Sequence, residues 1–173
     1  PRYRPRPITD DQLAAVLALP LKQRTRTMII LAAYAGLRAH EIAKIRGEDI
    51  DTRAGTITIT GKGGRTDTLP AHALVLQAAA DHPRRGWWFP SPVNPDRPIT
   101  AKNVGAVIAA ALRRAGVNAT AHQLRHRFAT ALLRGGADSR IVQTLMRHES
   151  LATTALYLAV DTDQQTTALN ALA

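Results

Sequence analysis

The feature that most constrains the fold is one stretch in which the spacing of apolar residues changes, between about residues 49 and 69. Elsewhere apolar side chains recur with a helical period, whereas here they alternate with threonines and other polar residues, which predicts strands. The stretch contains Gly55 and the turn Gly61-Lys62-Gly63-Gly64, so it predicts antiparallel strands at about 49–51, 56–60 and 65–69. The chain is therefore predicted to be α+β, mainly α-helical with a small three-stranded antiparallel sheet.

Capping residues and glycines mark the ends of the predicted helices. Thr9 with Gln12 forms a capping box before the first helix, and Thr100 begins a long helix that ends at Gly116. Gly36 ends the second helix in the same way. The predicted helices lie at about 10–19, 21–35, 39–45, 69–81, 101–115, 122–134, 139–148 and 151–160. The remainder, 161–173, is predicted to form at most a short tail helix.

The charge is strongly positive and unevenly distributed. Against 13 Asp and Glu the chain has 23 Lys and Arg, a net charge of +10; residues 97–137 contain no acidic residue, and no Lys or Arg follows Arg147. Such a domain typically binds a polyanion, a nucleic acid or a membrane surface. The absence of cysteine excludes thiol catalysis, disulfides and cysteine-based zinc sites. No apolar run approaches the ~18 residues of a membrane span, so we expect a cytoplasmic protein with no membrane partner.

The stretch "HQLRHRF", which begins at His122, allows more than one interpretation. His122 and His126 lie one helical turn apart, the spacing of two metal ligands, and His148 could supply a third. However, position 123 is Gln, so the general-base Glu of a zinc hydrolase is absent. His122 and Arg125 also share one helix face, which favours a phosphate clamp.

Three further residues could carry chemistry, although each also has an ordinary structural interpretation. Arg38 stands three residues before Glu41, whose carboxylate could orient it, but exposed ion pairs at this spacing are common. Lys62 occupies a glycine-flanked hairpin turn, as solvated lysines often do. Tyr157 lies in an apolar helical pattern typical of core residues, yet a phenol can also be a nucleophile.

Four motifs in order, "GLRAHEI", "GKGGRTDTLP", "HQLRHRFATALLRGG" and "IVQTLMRHESLATTALY", resemble the tyrosine recombinase (phage integrase) family. The resemblance extends from about Ile8 to Tyr157 and into the tail. It implies a basic interdomain linker at 1–7, the catalytic-domain fold of that family at 8–160, and a tail at 161–173 that could dock on another subunit. Residue by residue, it implies a catalytic set of Arg38, Lys62, His122, Arg125, His148 and Tyr157. Glu41 matches the acidic residue that supports the first arginine.

The sequence departs from the family pattern at two positions. Position 127 is Arg where Ser or Thr is more usual, and position 147 is Arg where Gly is frequent. Because both changes add positive charge near the implied site, we expect Arg127 and Arg147 to contact DNA, together with Arg65 and Lys102.

The resemblance also implies an activity and its partners. Family members cleave and rejoin double-stranded DNA at a specific core site through a 3′-phosphotyrosyl intermediate, with no metal, nucleotide or other cofactor. They act as homotetramers in the synaptic complex and carry an N-terminal DNA-binding domain, which is missing from this chain; we expect a monomer when free. A phage or mobile-element integrase is the favoured interpretation. A type IB topoisomerase-like nicking–closing enzyme and a catalytically silent DNA-binding module are the alternatives.

Overall fold

The computed structural model describes residues 6–147 and 162–172. These two ranges hold eight α-helices and a three-stranded sheet, which confirms the predicted fold class. The helices are α1 (Asp10–Leu17), α2 (Gln23–Tyr34), α3 (Ala39–Ala43), α4 (Ala73–Ala78), α5 (Ala101–Arg114), α6 (Ala121–Arg134), α7 (Ser139–Met146) and α8 (Thr162–Asn170). The helix predicted at 151–160 lies outside the described residues. Within the described ranges no helix has the length and apolar character that crossing a membrane requires.

Side-chain caps begin several helices where the sequence predicts them. Thr9 Oγ1 accepts a hydrogen bond from the Gln12 backbone N at 3.1 Å, and Gln12 Oε1 accepts from the Thr9 backbone N at 3.0 Å. Thr100 caps α5, and a second capping box joins Thr120 and Gln123 at the start of α6. Caps satisfy backbone N–H groups that have no partner in the first turn of a helix, so the local sequence is enough to place them.

The sheet has the order β1-β2-β3 and is antiparallel throughout. Its strands are β1 (Ile50–Asp51), β2 (Thr56–Thr60) and β3 (Thr66–Pro70). Ile57 and Ile59 are each 1% exposed, while Thr58 lies on the other face and its hydroxyl is 2.9 Å from that of Thr68. This alternation is the pattern read from the sequence. A 3₁₀ turn at Lys62–Gly64 joins β2 and β3.

Helix α2 forms the centre of the core. Residues 27–34 are buried all round the helix, which is enclosed by α4, α5 and α6. Ile108 and Leu112 of α5 and Leu124 and Phe128 of α6 are each at most 1% exposed. A helical segment that is buried on every face, as residues 27–34 are, is stable only when other elements enclose it. It therefore gives the surrounding elements a fixed frame.

A close approach to α6 determines where α2 ends. Gly36 follows α2 with φ 66°, in the left-handed region that favours glycine. A Cβ at this position would lie 2.5 Å from Cδ1 of Phe128. The chain then turns, and Arg38 stands immediately before α3. This crossing of α2, α3 and α6 is where the candidate site lies.

The tail packs on the body of its own chain. Leu169 and Leu172 are 2% and 6% exposed and belong to the core cluster, and α8 contacts α7 and β3. His72 Nδ1 accepts a hydrogen bond from the Leu74 backbone N, so its Nε2 carries the proton and donates to the Leu172 carbonyl at 3.0 Å. Docking of this tail on a neighbouring subunit remains a prediction.

Candidate active site

Arg38 is held by its backbone and leaves its guanidinium accessible. Its backbone N–H donates to Oε1 of Glu41 at 2.8 Å, which caps the first turn of α3. The Arg38 side chain is 36% exposed, and its Nη1 lies 3.9 Å from the same carboxylate oxygen. The predicted pairing is thus present, but Glu41 holds the Arg38 guanidinium only at the limit of an ion pair.

The main partner of Glu41 is Arg147, which follows α7. Arg147 Nη2 lies 2.9 Å from Oε1 of Glu41 and its Nε lies 3.3 Å from Oε2, so the guanidinium forms a bidentate ion pair with the carboxylate. Burial alone would raise the pKa of Glu41, but the charge and hydrogen bonds of Arg147, aided by Arg38, outweigh burial and lower this pKa. Glu41 is therefore an ionised carboxylate in the interior.

Arg125 extends from α6 into the gap between two helix ends. Its Nη1 donates to the carbonyl of Gly36 after α2, and its Nη2 donates to the carbonyl of Met146 in α7 at 2.8 Å. Helix C-termini carry partial negative charge, which stabilises a cation at this point. The side chain is 4% exposed, so its orientation is determined by the fold.

His122 lies in the first turn of α6, one turn before Arg125 and His126. Partial burial, then the positive charges of His126, Arg125 and Arg38, lower its pKa below the ordinary value of 6.5. Its neutral form, which can accept a proton, is therefore favoured. The His122 and His126 rings lie 4.9 Å apart, edge to face. Among residues 6–147 and 162–172 no group of three or more His, Cys, Asp or Glu could hold a metal ion.

Lys62 lies exposed in the hairpin turn, where Gly63 and Gly64 have φ of 72° and 77°. Burial lowers the pKa of His40 at the start of α3; Glu41 opposes this shift, and the charges of Lys44, Arg38 and, least of all, Lys62 add to it. Sequence reasoning did not single out His40, because nothing in its immediate neighbours distinguishes it.

Two of the four predicted DNA contacts are not supported by the structure. Arg65 and Lys102 are exposed, whereas Arg127 and Arg147 are buried and each forms an ion pair with a carboxylate of the protein. Arg127 Nη2 forms an ion pair with Asp10 at 2.8 Å, and its guanidinium lies 5.6 Å from the ring centroid of Tyr34. Both buried arginines bind groups of the protein itself, so the positive charge that predicted DNA contact is already used internally.

The candidate site lies where α2, α3, α6 and α7 converge. It contains Arg38, Glu41, His122, Arg125 and Arg147. Arg147 and Arg38 lie beside the Glu41 carboxylate, and Arg125 is held by two main-chain carbonyls, so the cluster has three guanidinium groups to one carboxylate and keeps an excess of positive charge. A site of this kind binds an anion, and the planar forks of the arginines suit phosphate oxygens. His148 and Tyr157, the remaining predicted catalytic residues, lie outside the described residues.

Comparison with known proteins extends these observations. The model of the phage integrase family matches residues 8–164. The chain is 32% identical over 169 residues to tyrosine recombinase XerA of Pyrococcus furiosus, covering 92% of this chain and 59% of that protein. It is 33% identical over 180 residues to tyrosine recombinase XerD of Mycobacterium tuberculosis, covering 92% of this chain and 58% of the relative.

A solved structure with a similar fold and sequence is the integrase from mycobacterium phage Brujita. It superposes with a TM-score of 0.91 at 44% identity, covering 100% of this chain and 60% of that one. The chain therefore spans about 60% of the length of each of these three proteins.

Proposed function

Because the chain belongs to the phage integrase family, we propose that it forms the catalytic part of a site-specific DNA recombinase. The whole protein would cleave one DNA strand with Tyr157, exchange strands and rejoin them. A phage or mobile-element integrase is the form of this activity that we favour, since the similarity to the phage Brujita integrase extends over the whole chain.

The observation that carries this proposal is the positively charged cluster at the end of α2. Arg38 and Arg125 lie 87 positions apart in the chain, yet both are anchored at the turn that follows α2. His122 is close enough to both arginines for their charges to lower its pKa. Two guanidiniums and an imidazole on neighbouring elements suit the oxygens of a scissile phosphate.

The proposed chemistry conserves the energy of the bond that it breaks. The phenolic oxygen of Tyr157 attacks phosphorus, the bond from phosphorus to the 5′-oxygen breaks, and a 3′-phosphotyrosyl bond replaces it. Negative charge grows on the non-bridging oxygens in the transition state. Arg38 and Arg125 donate hydrogen bonds to those oxygens, and His148 donates a further one.

Two proton transfers complete the step. His122 accepts the phenol proton, consistent with a lowered pKa that favours its neutral form. Lys62 donates a proton to the departing 5′-oxygen, and its exposed place in the hairpin turn is consistent with this role. Religation reverses both transfers. Glu41 positions Arg38 through the backbone N–H of that residue and takes no part in proton transfer.

The proposed partners follow from the same arrangement. Double-stranded DNA would lie across Arg65 and Lys102, both of which are exposed. The part of the polypeptide that this chain does not span would hold the opposite face of the duplex. We propose a monomer when free and a homotetramer in the synaptic complex, with the tail at 161–173 as a candidate docking segment.

The experiment that tests the proposal uses a nicked suicide substrate containing the candidate core site. Full-length protein and its Tyr157→Phe variant are incubated with this DNA in the presence of EDTA, and covalent adducts are resolved on a denaturing gel. An adduct from the wild type that is absent from the variant supports the proposal. Relaxation of supercoils without strand exchange would favour a topoisomerase-like enzyme, and failure to form an adduct on the native site would favour a silent DNA-binding module.

A further inference from the structure

Arg147 occupies a backbone conformation that is unusual for a residue with a side chain. It follows α7 with φ 56° and ψ 49°, the only non-glycine residue of 6–147 and 162–172 in the left-handed region. Glycine adopts this conformation with less strain. A side chain kept at such a position points to a role for its functional group.

The contacts of Arg147 show where that role is exercised. Its guanidinium donates to both oxygens of Glu41, to the Gly36 carbonyl at 3.2 Å and to the Leu145 carbonyl at 2.8 Å. The same Gly36 carbonyl accepts a hydrogen bond from Arg125. Arg147 thus links the carboxylate beside Arg38 to the carbonyl that positions Arg125, and its charge is neutralised by the Glu41 carboxylate.

Glu41 has two arginines within reach and is engaged mainly by one. Arg147 approaches it to 2.9 Å, whereas Nη1 of Arg38 stays at 3.9 Å and its side chain remains 36% exposed. Glu41 is 2% exposed, and a buried carboxylate requires a counter-charge. If Arg147 were absent, Arg38 would be the arginine on the same helical turn able to supply it.

We propose that Arg147 is a positioning residue: by neutralising Glu41 it keeps the guanidinium of Arg38 available for the phosphate. The inference rests on the proposed function, because it assigns Arg38 to that phosphate. Arg38 can bind the phosphate only when Glu41 has another counter-ion, and Arg147 is that counter-ion.

The test compares Arg147→Gly, Glu41→Gln and the double variant in the full-length protein. Glycine suits the left-handed backbone, and glutamine keeps an oxygen for the Arg38 backbone N–H. The matched control is Arg127→Ala, which removes another buried arginine that is paired with a carboxylate, that of Asp10. Adduct formation at saturating suicide DNA is measured from mildly acid to mildly alkaline pH, and each rate is divided by the folded fraction.

Arg147→Gly should lower the corrected rate by up to about a hundredfold at alkaline pH, because Arg38 turns toward the unpaired Glu41. The charged groups acting on Glu41 in the described ranges are Arg147, Arg38 and His40. Loss of the Arg147 charge and hydrogen bonds raises the pKa of Glu41 relative to its wild-type value, so the ratio of variant to wild-type rate should recover as pH falls and Glu41 is protonated. The double variant should regain most of the rate at every pH.

A structural role alone would produce a different result. Arg127→Ala should change the folded fraction without any pH-dependent change in the corrected ratio. The proposal is overturned if the corrected rate of Arg147→Gly equals that of the wild type, or if its loss is the same at all pH values and persists in the double variant.

A second measurement separates this proposal from the proposed function. The side-chain N–H signals of Arg38 are followed by nitrogen-15 NMR without DNA. In Arg147→Gly they should show slower rotation and slower solvent exchange as the ion pair with Glu41 tightens. Unchanged Arg38 signals overturn the positioning role even if the wild type forms no adduct, while a missing wild-type adduct counts against the proposed function alone.

Discussion

Replacing Gly36 with alanine should destabilise the fold by two separable effects. The left-handed backbone at φ 66° costs alanine about 1 kcal/mol relative to glycine. The new Cβ would also lie 2.5 Å from Cδ1 and 2.8 Å from Cε1 of Phe128, a ring that is 1% exposed and cannot move into solvent. Overpacking of this kind costs about 1–3 kcal/mol. The sum is about 2–4 kcal/mol, a decrease in Tm of roughly 5–15 °C for a chain of this size.

Gly116→Ala is the matched control for this prediction. Gly116 also follows a helix, with φ 77°, but a Cβ there would meet nothing within 4 Å. It should therefore show the backbone effect alone, about 1 kcal/mol and a decrease in Tm of about 2–4 °C. Urea and thermal unfolding followed by circular dichroism would measure both variants. Equal losses in the two would refute the argument that the packing of Phe128 determines the end of α2.

Three further outcomes are expected. Lys62→Ala should slow cleavage of ordinary DNA by about 10²–10⁴-fold. It should slow cleavage little when sulfur replaces the leaving 5′-oxygen, because a thiolate leaves without a proton. Equal losses of rate on both substrates would contradict the general-acid role. Because the pKa of His122 is lowered, single-turnover cleavage should decline with acidification only below pH 6.5, and His122→Asn should remove that decline; a His122-dependent decline centred above pH 6.5 would contradict this assignment. Leu169→Ala should lower the free energy of unfolding by about 2–4 kcal/mol and make the tail easier for a protease to cleave, whereas Asn170→Ala, at an exposed position, should do neither. Mass spectrometry of the protease fragments measures this, and the same cleavage pattern in both variants would show that Leu169 does not hold the tail.

The features predicted well from the sequence are those determined by near neighbours. The capping box of Thr9 and Gln12 involves residues three positions apart, and the alternation of Ile57 and Ile59 records one face of a strand. Gly36 was recognised as a helix end from its type alone. Each of these depends on the conformation of a few consecutive residues, which the local sequence largely determines.

The features missed depend on partners far along the chain. Arg147 pairs with Glu41, 106 positions away, and Arg127 with Asp10, 117 positions away. A sequence shows the sign of a charge and not the direction in which its side chain points, so both arginines were assigned to DNA. The excess charge of the chain is therefore less available to an external anion than the composition suggests.

The contact between His72 and the tail has a consequence for how this protein can change over time. His72 donates to a main-chain carbonyl, which every amino acid possesses, so this hydrogen bond places no requirement on the identity of residue 172. The apolar contacts of Leu169 and Leu172 select for size, whereas the hydrogen bond recognises only the path of the backbone. The tail can thus accept a different residue of similar size at position 172, or be exchanged for a relative's tail that keeps apolar residues at positions 169 and 172, without loss of this hydrogen bond to His72.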